Sequence, residues 1–235
     1  MATSQWLNNE VNAMQKNDDK TLIAKRFRGY LPVVIDIETA GFNAQTDAML
    51  EIGVATLSMD DNWKLQLKET YSFDIEPFEG ANLEQSALDF TGIDPASPDR
   101  AAITEESALK DLFSIIRSEV KINGCKRAIL VGHNANFDHQ FLTAASNRCA
   151  IKRNPFHPFS TIDTAALSAL IYGHTVLAQA CRIAQIDYQN DLAHRAEYDA
   201  IITAELFIKM VNKWLEIGGW EKTLQLQDKL ANGPE

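Results

Sequence analysis

The sequence runs to 235 residues, 46% hydrophobic and 23% charged, the make-up of one ordinary globular domain with a single substantial core. No apolar run approaches a membrane span and the polar start, Met1 to Lys20, lacks an export segment, so neither membrane insertion nor secretion is expected. A formal net charge of −10 argues against a non-specific nucleic-acid binder, since phosphates are repelled on average.

Residues 1–21 read as a polar extension. Leu31 to Glu38 is a short apolar, β-branched run, typical of a central strand, and Thr39 to Asn43 breaks it with turn residues. Met49 to Ser58 and Thr70 to Glu76 read as two more strands, joined by a turn over Met59 to Trp63. Asn82 to Phe90 should form a short helix that ends at Gly92. From Thr104 to Val120, the apolar residues Leu109, Leu112, Phe113, Ile116 and Val120 recur at helical spacing, with Thr104 as the cap. Arg127 to Gly132 reads as a buried strand and Ala135 to Cys149 as the helix after it. Asp163 starts another helix, Val176 to Ile186 forms a further one, and His194 to Leu215 is a long closing helix ending near Gly218. Residues 22–220 are then one domain and 221–235 a polar tail. Three early strands followed by a helix–strand–helix alternation imply an α/β fold, a mixed sheet with helices packed on it.

Cys125, Cys149 and Cys181 lack metal-ligand spacing and read as reduced thiols of a cytoplasmic protein. Charge is unevenly placed. Between Arg117 and Arg153 there are seven basic residues (Arg117, Lys121, Lys126, Arg127, Arg148, Lys152, Arg153) against Glu119 and Asp138, a net +5 that leaves −15 for the remainder. Arg26 and Arg28 add a second small basic site. Such a stretch is either a phosphate track or an ordinary solvated face, and the acidic motif beside it favours the track.

Three motifs carry chemistry: Asp36-Ile-Glu38, Asp138 within Gly132-His-Asn-Ala-Asn-Phe-Asp138, and His194 followed five residues on by Asp199. Asp36 and Glu38 alternate to the same strand face, roughly 6.5–7 Å apart at the backbone. Their carboxylates can converge on metals spaced about 3.5–4 Å apart. Ionised acids ending so apolar a run would be costly without cations, although Asp-x-Glu alone is commonly an exposed strand end. Asn134 reads as a helix N-cap, with Asp138 on the same helix face four residues later, aimed at a metal or its water. His194 and Asp199 are separated by about 140° on an ideal helix. That puts His194 before the helix, free to swing as a base, and Asp199 on its rigid wall. His133 and His139 read as groups that orient backbone or neighbouring side chains, His157 as a loop packer and His174 as a turn residue after Gly173. Singly, Phe42, Phe90, Phe137 and Phe159 would more often be core residues, yet three of them adjoin turns or motifs where an aromatic face can stack an unpaired base; Phe42 and Phe137 read as base contacts, while Phe90 and Phe159 rest more on the resemblance below.

Taken together these residues resemble the DEDDh exonucleases of the DnaQ-like, RNase H-like superfamily, and within it the bacterial branch that trims the ends of stable RNAs. The likeness runs from about Arg26 to Trp220 and includes Arg26-Phe-Arg-Gly29, Glu38-Thr-Ala-Gly-Phe-Asn43, Gly80-Ala-Asn-Leu83, Phe90-Thr-Gly-Ile-Asp-Pro95, His133-Asn-Ala-Asn-Phe-Asp-His139 and Lys152-Arg-Asn-Pro-Phe-His-Pro-Phe159. The resemblance implies an RNase H-like mixed sheet flanked by helices. It implies a 3′→5′ exonuclease for short single-stranded 3′ overhangs of tRNA, rRNA and small stable RNA precursors, active also on single-stranded DNA. Two Mg²⁺ ions per subunit would be held by Asp36, Glu38, Asp138 and Asp199, with His194 beside them as general base. It further implies a homodimer in which Arg26, Arg28, Lys121, Arg127 and Lys152 grip RNA leading to the partner's active site, while Phe42, Phe90, Phe137 and Phe159 sandwich the last bases.

This chain departs from that pattern at Ser86, where the family carries a glutamate that helps read terminal bases and disfavours 3′ cytidines; Glu84 and Asp89 lie nearby. The N-terminal extension, with Trp6, also exceeds the family's usual start. A polymerase proofreading subunit and an oligoribonuclease of the same superfamily are the near alternatives. The first would carry a long attachment region where only 36 residues follow Asp199, and the second would lack Phe42 and the Asn154-to-Phe159 string. A binding module with a dead metal site would not retain all five chemical residues.

Overall fold

The computed structural model describes residues 21–232. Five strands form one mixed sheet: β1 (Tyr30–Thr39), β2 (Met49–Met59), β3 (Leu65–Asp74), β4 (Arg127–Gly132) and β5 (Phe156–Asp163), in the order β3-β2-β1-β4-β5. The first three are an antiparallel meander, whereas β4 and β5 run parallel to β1. Eight helices complete the described chain: α1 (Leu22–Arg26), α2 (Gln85–Thr91), α3 (Glu105–Ile122), α4 (Asn136–Arg148), α5 (Thr164–Tyr172), α6 (Leu177–Ile183), α7 (Ala196–Glu216) and α8 (Gly219–Asn232).

The expected mixed sheet flanked by helices is the architecture found. Val33, Val34, Ile35 and Ile37 of β1 are buried, because a central strand is covered from both faces. Helices α3 and α4 pack against β1 and β4, while α7 crosses β1, β2 and β3. Phe113, Phe141, Phe156 and Phe207 anchor this core. A smaller apolar cluster of Ala180, Cys181, Ile202, Leu206 and Met210 joins α6 to α7. Among the described residues no helix is long and apolar enough to cross a membrane.

Several expectations need correcting. Strand β3 begins at Leu65, before Thr70, and the turn comprises residues 60–64, where Asp60 Oδ1 accepts the Asn62 and Lys64 amides, both at 2.9 Å. A fifth strand, β5, occupies the segment read as a loop. Pro155 just before it and Pro158 within it obscured it, and Pro158 is tolerated because β5 pairs on one side only and its ladder to β4 is irregular between Ala128 and Leu130. Residues 221–232, read as part of a polar tail, lie in helix α8, which begins at Gly219, with Trp220 burying its indole at the helix start. The extension lies outside the described residues apart from Thr21, whose hydroxyl caps α1 by accepting the Ala24 amide and donates to the Asn123 carbonyl.

Candidate active site

The far end of β1 brings the acids together. Asp36 and Glu38 share one face, directly opposite Gly53 and Glu51 of β2. Helix α7 passes over that face so closely that a Cβ on Gly53 would lie 1.8 Å from the Ala196 carbonyl oxygen. The approach carries Asp199, in the first turn of α7, down to the two strand acids. Asp138 arrives from α4 and its Oδ1 accepts the Ile37 amide at 3.0 Å, so it sits between Asp36 and Glu38 along the chain. Gly132 makes room for it, since a Cβ there would stand 3.1 Å from Asp138 Oδ2.

Asn134 does not cap α4. It adopts a left-handed backbone (φ 68°), Ala135 is the N-cap without a side-chain bond, and Asp163 Oδ2 accepts the Ala135 amide at 3.0 Å. The shared helix face proposed for Asn134 and Asp138 is therefore absent. His194 does precede α7, with φ 66°, and its amide donates to Asp199 Oδ2 at 2.8 Å. Rather than hanging free, its ring packs on Phe90 with centroids 4.2 Å apart.

Electrostatics follow from this crowding. Burial, then the charges of Asp138, Asp199, Glu38 and Glu51, push the Asp36 carboxyl well above the usual range. Burial, then Asp199 and Glu51, raise Glu38 to about 7. Asp138 is raised mainly by burial despite the Ile37 amide, and Asp199 by burial against the opposing His194 contacts. Charge of one sign is thus concentrated, and the opposing effects of Arg100 and Arg195 on Glu51 and of His194 on Asp199 do not outweigh burial. Single ligand atoms of Glu38, His194 and Asp199 lie within 4.8 Å of one another, a grouping that does not extend to Asp36 or Asp138. Asp199 Oδ1 is buried and has no hydrogen-bond partner among the described residues. Oxygen-rich donors, an orphaned carboxylate oxygen and mutual repulsion fit a hard divalent cation.

Beside the acids opens a cavity of about 390 Å³ lined by Ile37, Glu38, Thr39, Phe42, Ser86, Phe90 and Phe137, among others. Phe42 is 85% and Phe90 67% exposed, which excludes a core role for either. Phe42 and Phe137 meet edge to face at 6.3 Å. The Phe42 loop is braced by Asp47, which accepts from the Asn43 amide, the Thr46 hydroxyl and the Asn82 side chain. Gly41 must lack a side chain because the Asp47 carboxylate fills that space. Phe159 is not part of this cavity. It stands 82% exposed on β5, its ring against His157, which in turn meets Tyr30.

The basic residues gather at the opposite end of the sheet, where Tyr30 pairs with Arg127. Arg28, Lys121, Lys126, Arg127, Lys152 and Arg153 are exposed there. Arg26 is instead engaged by the fold, its guanidinium 4.0 Å above the Trp220 ring. The other histidines do structural work: His133 bonds Thr164 Oγ1 and the Thr175 carbonyl, His139 the His157 carbonyl, His157 the Ser160 amide and His174 the Val176 amide. Sequence reasoning missed two acids. Glu51 accepts the Ala196 amide at 3.2 Å, and Asp163 caps α5 as well as α4. The only local hint was that Asp163 opened a helix; Glu51 sat inside an apolar strand with no signal of its partner.

A family profile described as an exonuclease matches residues 33–207. The chain is 60% identical over 205 residues to ribonuclease T of Hahella chejuensis, covering 87% of this chain and 94% of that protein. It is 60% identical over 206 residues to ribonuclease T of Vibrio cholerae, at 87% and 92% coverage. Its fold is similar to Escherichia coli exonuclease I in complex with a dT13 oligonucleotide, with a TM-score of 0.62 at 16% identity. That likeness covers 88% of this chain and spans only 46% of exonuclease I. By sequence and fold together, the chain belongs to the ribonuclease T family of exonucleases.

Proposed function

We propose that this protein trims short single-stranded 3′ ends of tRNA, rRNA and other stable RNA precursors in the cytoplasm, one nucleoside 5′-monophosphate at a time, and accepts single-stranded DNA 3′ ends as well. The observation that carries the reading is the slot of exposed Phe42, Phe90 and half-buried Phe137 opening directly onto Glu38 of the acid cluster. Unpaired bases stacked there would present the last phosphodiester to the acids. Two Mg²⁺ ions, held by Asp36, Glu38, Asp138 and Asp199, would supply an acidified water and neutralise the phosphate. His194, next to Asp199, takes the proton from the attacking water. The water oxygen joins phosphorus in line with the departing O3′, the P–O3′ bond breaks, and O3′ remains on the shortened chain, taking up a proton from solvent as His194 releases its own. Phe159 offers a further stacking face at the edge strand.

A homodimer is supported by two features. The basic end of β1 at Tyr30 lies six residues from Asp36 and eight from Glu38, about 20–26 Å along the strand, so RNA gripped by Arg28, Lys121, Arg127 and Lys152 is held away from its own subunit's slot. Exposed Leu170, Trp214 and Ile217 also line an apolar cavity of about 610 Å³ next to Arg26 and Phe27, a surface suited to a second copy. In that arrangement the basic end of one subunit leads RNA to the acids of the other.

Purified protein with Mg²⁺ should shorten a 3′-labelled tRNA and a duplex bearing a short 3′ overhang, stopping near the duplex edge and releasing 5′-monophosphates. Digestion running deep into the duplex, or a preference for dinucleotides, would refute the assignment.

A further inference from the structure

The helices that carry Asp138 and Asp199 both begin without a side-chain cap of their own, their N-cap residues being Ala135 and Arg195. The first amides of a helix have no partner within it and must be met from elsewhere. In both cases a carboxylate from a strand end or a neighbouring strand supplies the acceptor: Asp163 for Ala135 and Glu51 for Ala196. Glu51 stands directly opposite Glu38. Its single bond to Ala196 therefore ties the start of α7, with His194 two residues before and Asp199 three after, to the strand pair that bears Asp36 and Glu38. Gly53, on the same face, lets the Ala196 carbonyl settle against the sheet. A carboxylate also suits the positive end of a helix, which helps to keep an extra acid in so negative a neighbourhood.

We propose that Glu51 is a positioning residue, which through the Ala196 amide sets the height of α7 above the sheet and so the place of His194 and Asp199 relative to Asp36 and Glu38. The inference rests on the exonuclease reading of this site. Its test is steady-state kinetics on a single-stranded oligonucleotide with Mg²⁺, comparing wild type with Glu51→Ala, Glu51→Gln and His194→Ala. Alanine removes the acceptor, while glutamine keeps an acceptor oxygen without the charge. Displacing catalytic groups by about an ångström costs up to roughly 100-fold, so the Ala variant should lose 10- to 100-fold in kcat. Its KM should stay within about twofold, because the stacking slot is untouched. Glutamine should restore most of kcat. Should the Ala variant fail to fold, Glu51→Asp, one methylene too short to reach Ala196, takes its place and should be comparably slow. Wild-type kcat in the Ala or Asp variant would overturn the proposal, as would a Gln variant as slow as Ala, or a loss carried by KM. The His194→Ala control separates the two levels. Absence of turnover in the wild type defeats the exonuclease reading itself and wild-type turnover in His194→Ala removes His194 as the base, whereas an inactive His194→Ala beside an unimpaired Glu51→Ala defeats only the role of Glu51.

Discussion

Removing divalent cations should make the protein lose stability as pH rises, and the size of the effect follows from the acid cluster. Glu38 is raised from 4.5 to about 7 in the folded chain, by burial first and then by Asp199 and Glu51. An acid whose folded pKa lies above its unfolded value contributes stability that is fully present below the unfolded pKa and is lost as pH climbs through the folded one. For Glu38 that window runs from about 4.5 to about 7. The shift corresponds to about 3 kcal/mol, reduced to about 2 by the solvent at its open edge. Asp36, Asp138 and Asp199 are displaced in the same direction and add to it. For a chain of this length each kcal/mol moves the melting temperature by about 2–4 °C, so Glu38 alone should lower it by about 4–8 °C between pH 5 and pH 8. A bound cation offsets the repulsion, and its benefit should therefore grow with pH. Thermal melts in EDTA and in Mg²⁺ at pH 5, 6, 7 and 8 measure this, because other titrating groups cancel in the difference between the two curves. A Mg²⁺ benefit that is equal at pH 5 and pH 8, or larger at pH 5, would refute the reasoning.

The same cluster yields further expectations. Asp36→Asn should abolish turnover while leaving the melting temperature in EDTA unchanged or higher, since one repelling charge is gone; undiminished activity would exclude a ligand role. His194→Ala should cost roughly 10²–10⁴-fold in kcat and remove the rise of activity from acid toward neutral pH. A pH–rate profile of unaltered shape would exclude His194 as the base. Phe42→Ala should weaken oligonucleotide binding by about 1–3 kcal/mol, the value of one stacked base, and leave the melting temperature alone because the ring is 85% exposed. Fluorescence anisotropy of a labelled strand in Ca²⁺ would read the loss, and unchanged affinity would remove Phe42 from the slot. Leu170→Asp with Trp214→Asp should shift the protein to monomer in sedimentation velocity, and a dimer of wild-type strength would place the interface elsewhere.

Legibility in the sequence followed the range of the determining interaction. Helix α3 was readable to within two residues because its apolar spacing and Thr104 cap are local, and β4 was readable from its β-branched and aliphatic run. Strand β5 escaped because Pro158 inside it and Pro155 just before it argue against pairing unless the strand is known to lie at an edge, a property of the sheet and not of the segment. Asn134 looked like a cap by type and position, but its backbone turned left-handed and the acceptor came from Asp163, 28 residues on. Helix α8 was hidden behind Gly218 and Gly219, which read as an end, although only Ile217 and Gly218 separate two helices and Gly219 begins the second.

Which residues could hold a cation and which could take a proton was written in the order Asp36, Glu38, Asp138, His194, Asp199, each with a local setting that strands and helix starts impose by their periodicity. What the sequence left open was decided by register and by the crossing of α7 over β2: that Glu51 joins the cluster, that the acids raise one another, that three phenylalanines share a slot while Phe159 does not, and that the basic end lies a strand's length away. Periodicity is a property of neighbouring residues, but mutual repulsion and shared cavities depend on distances between segments that only the packed sheet and helices fix.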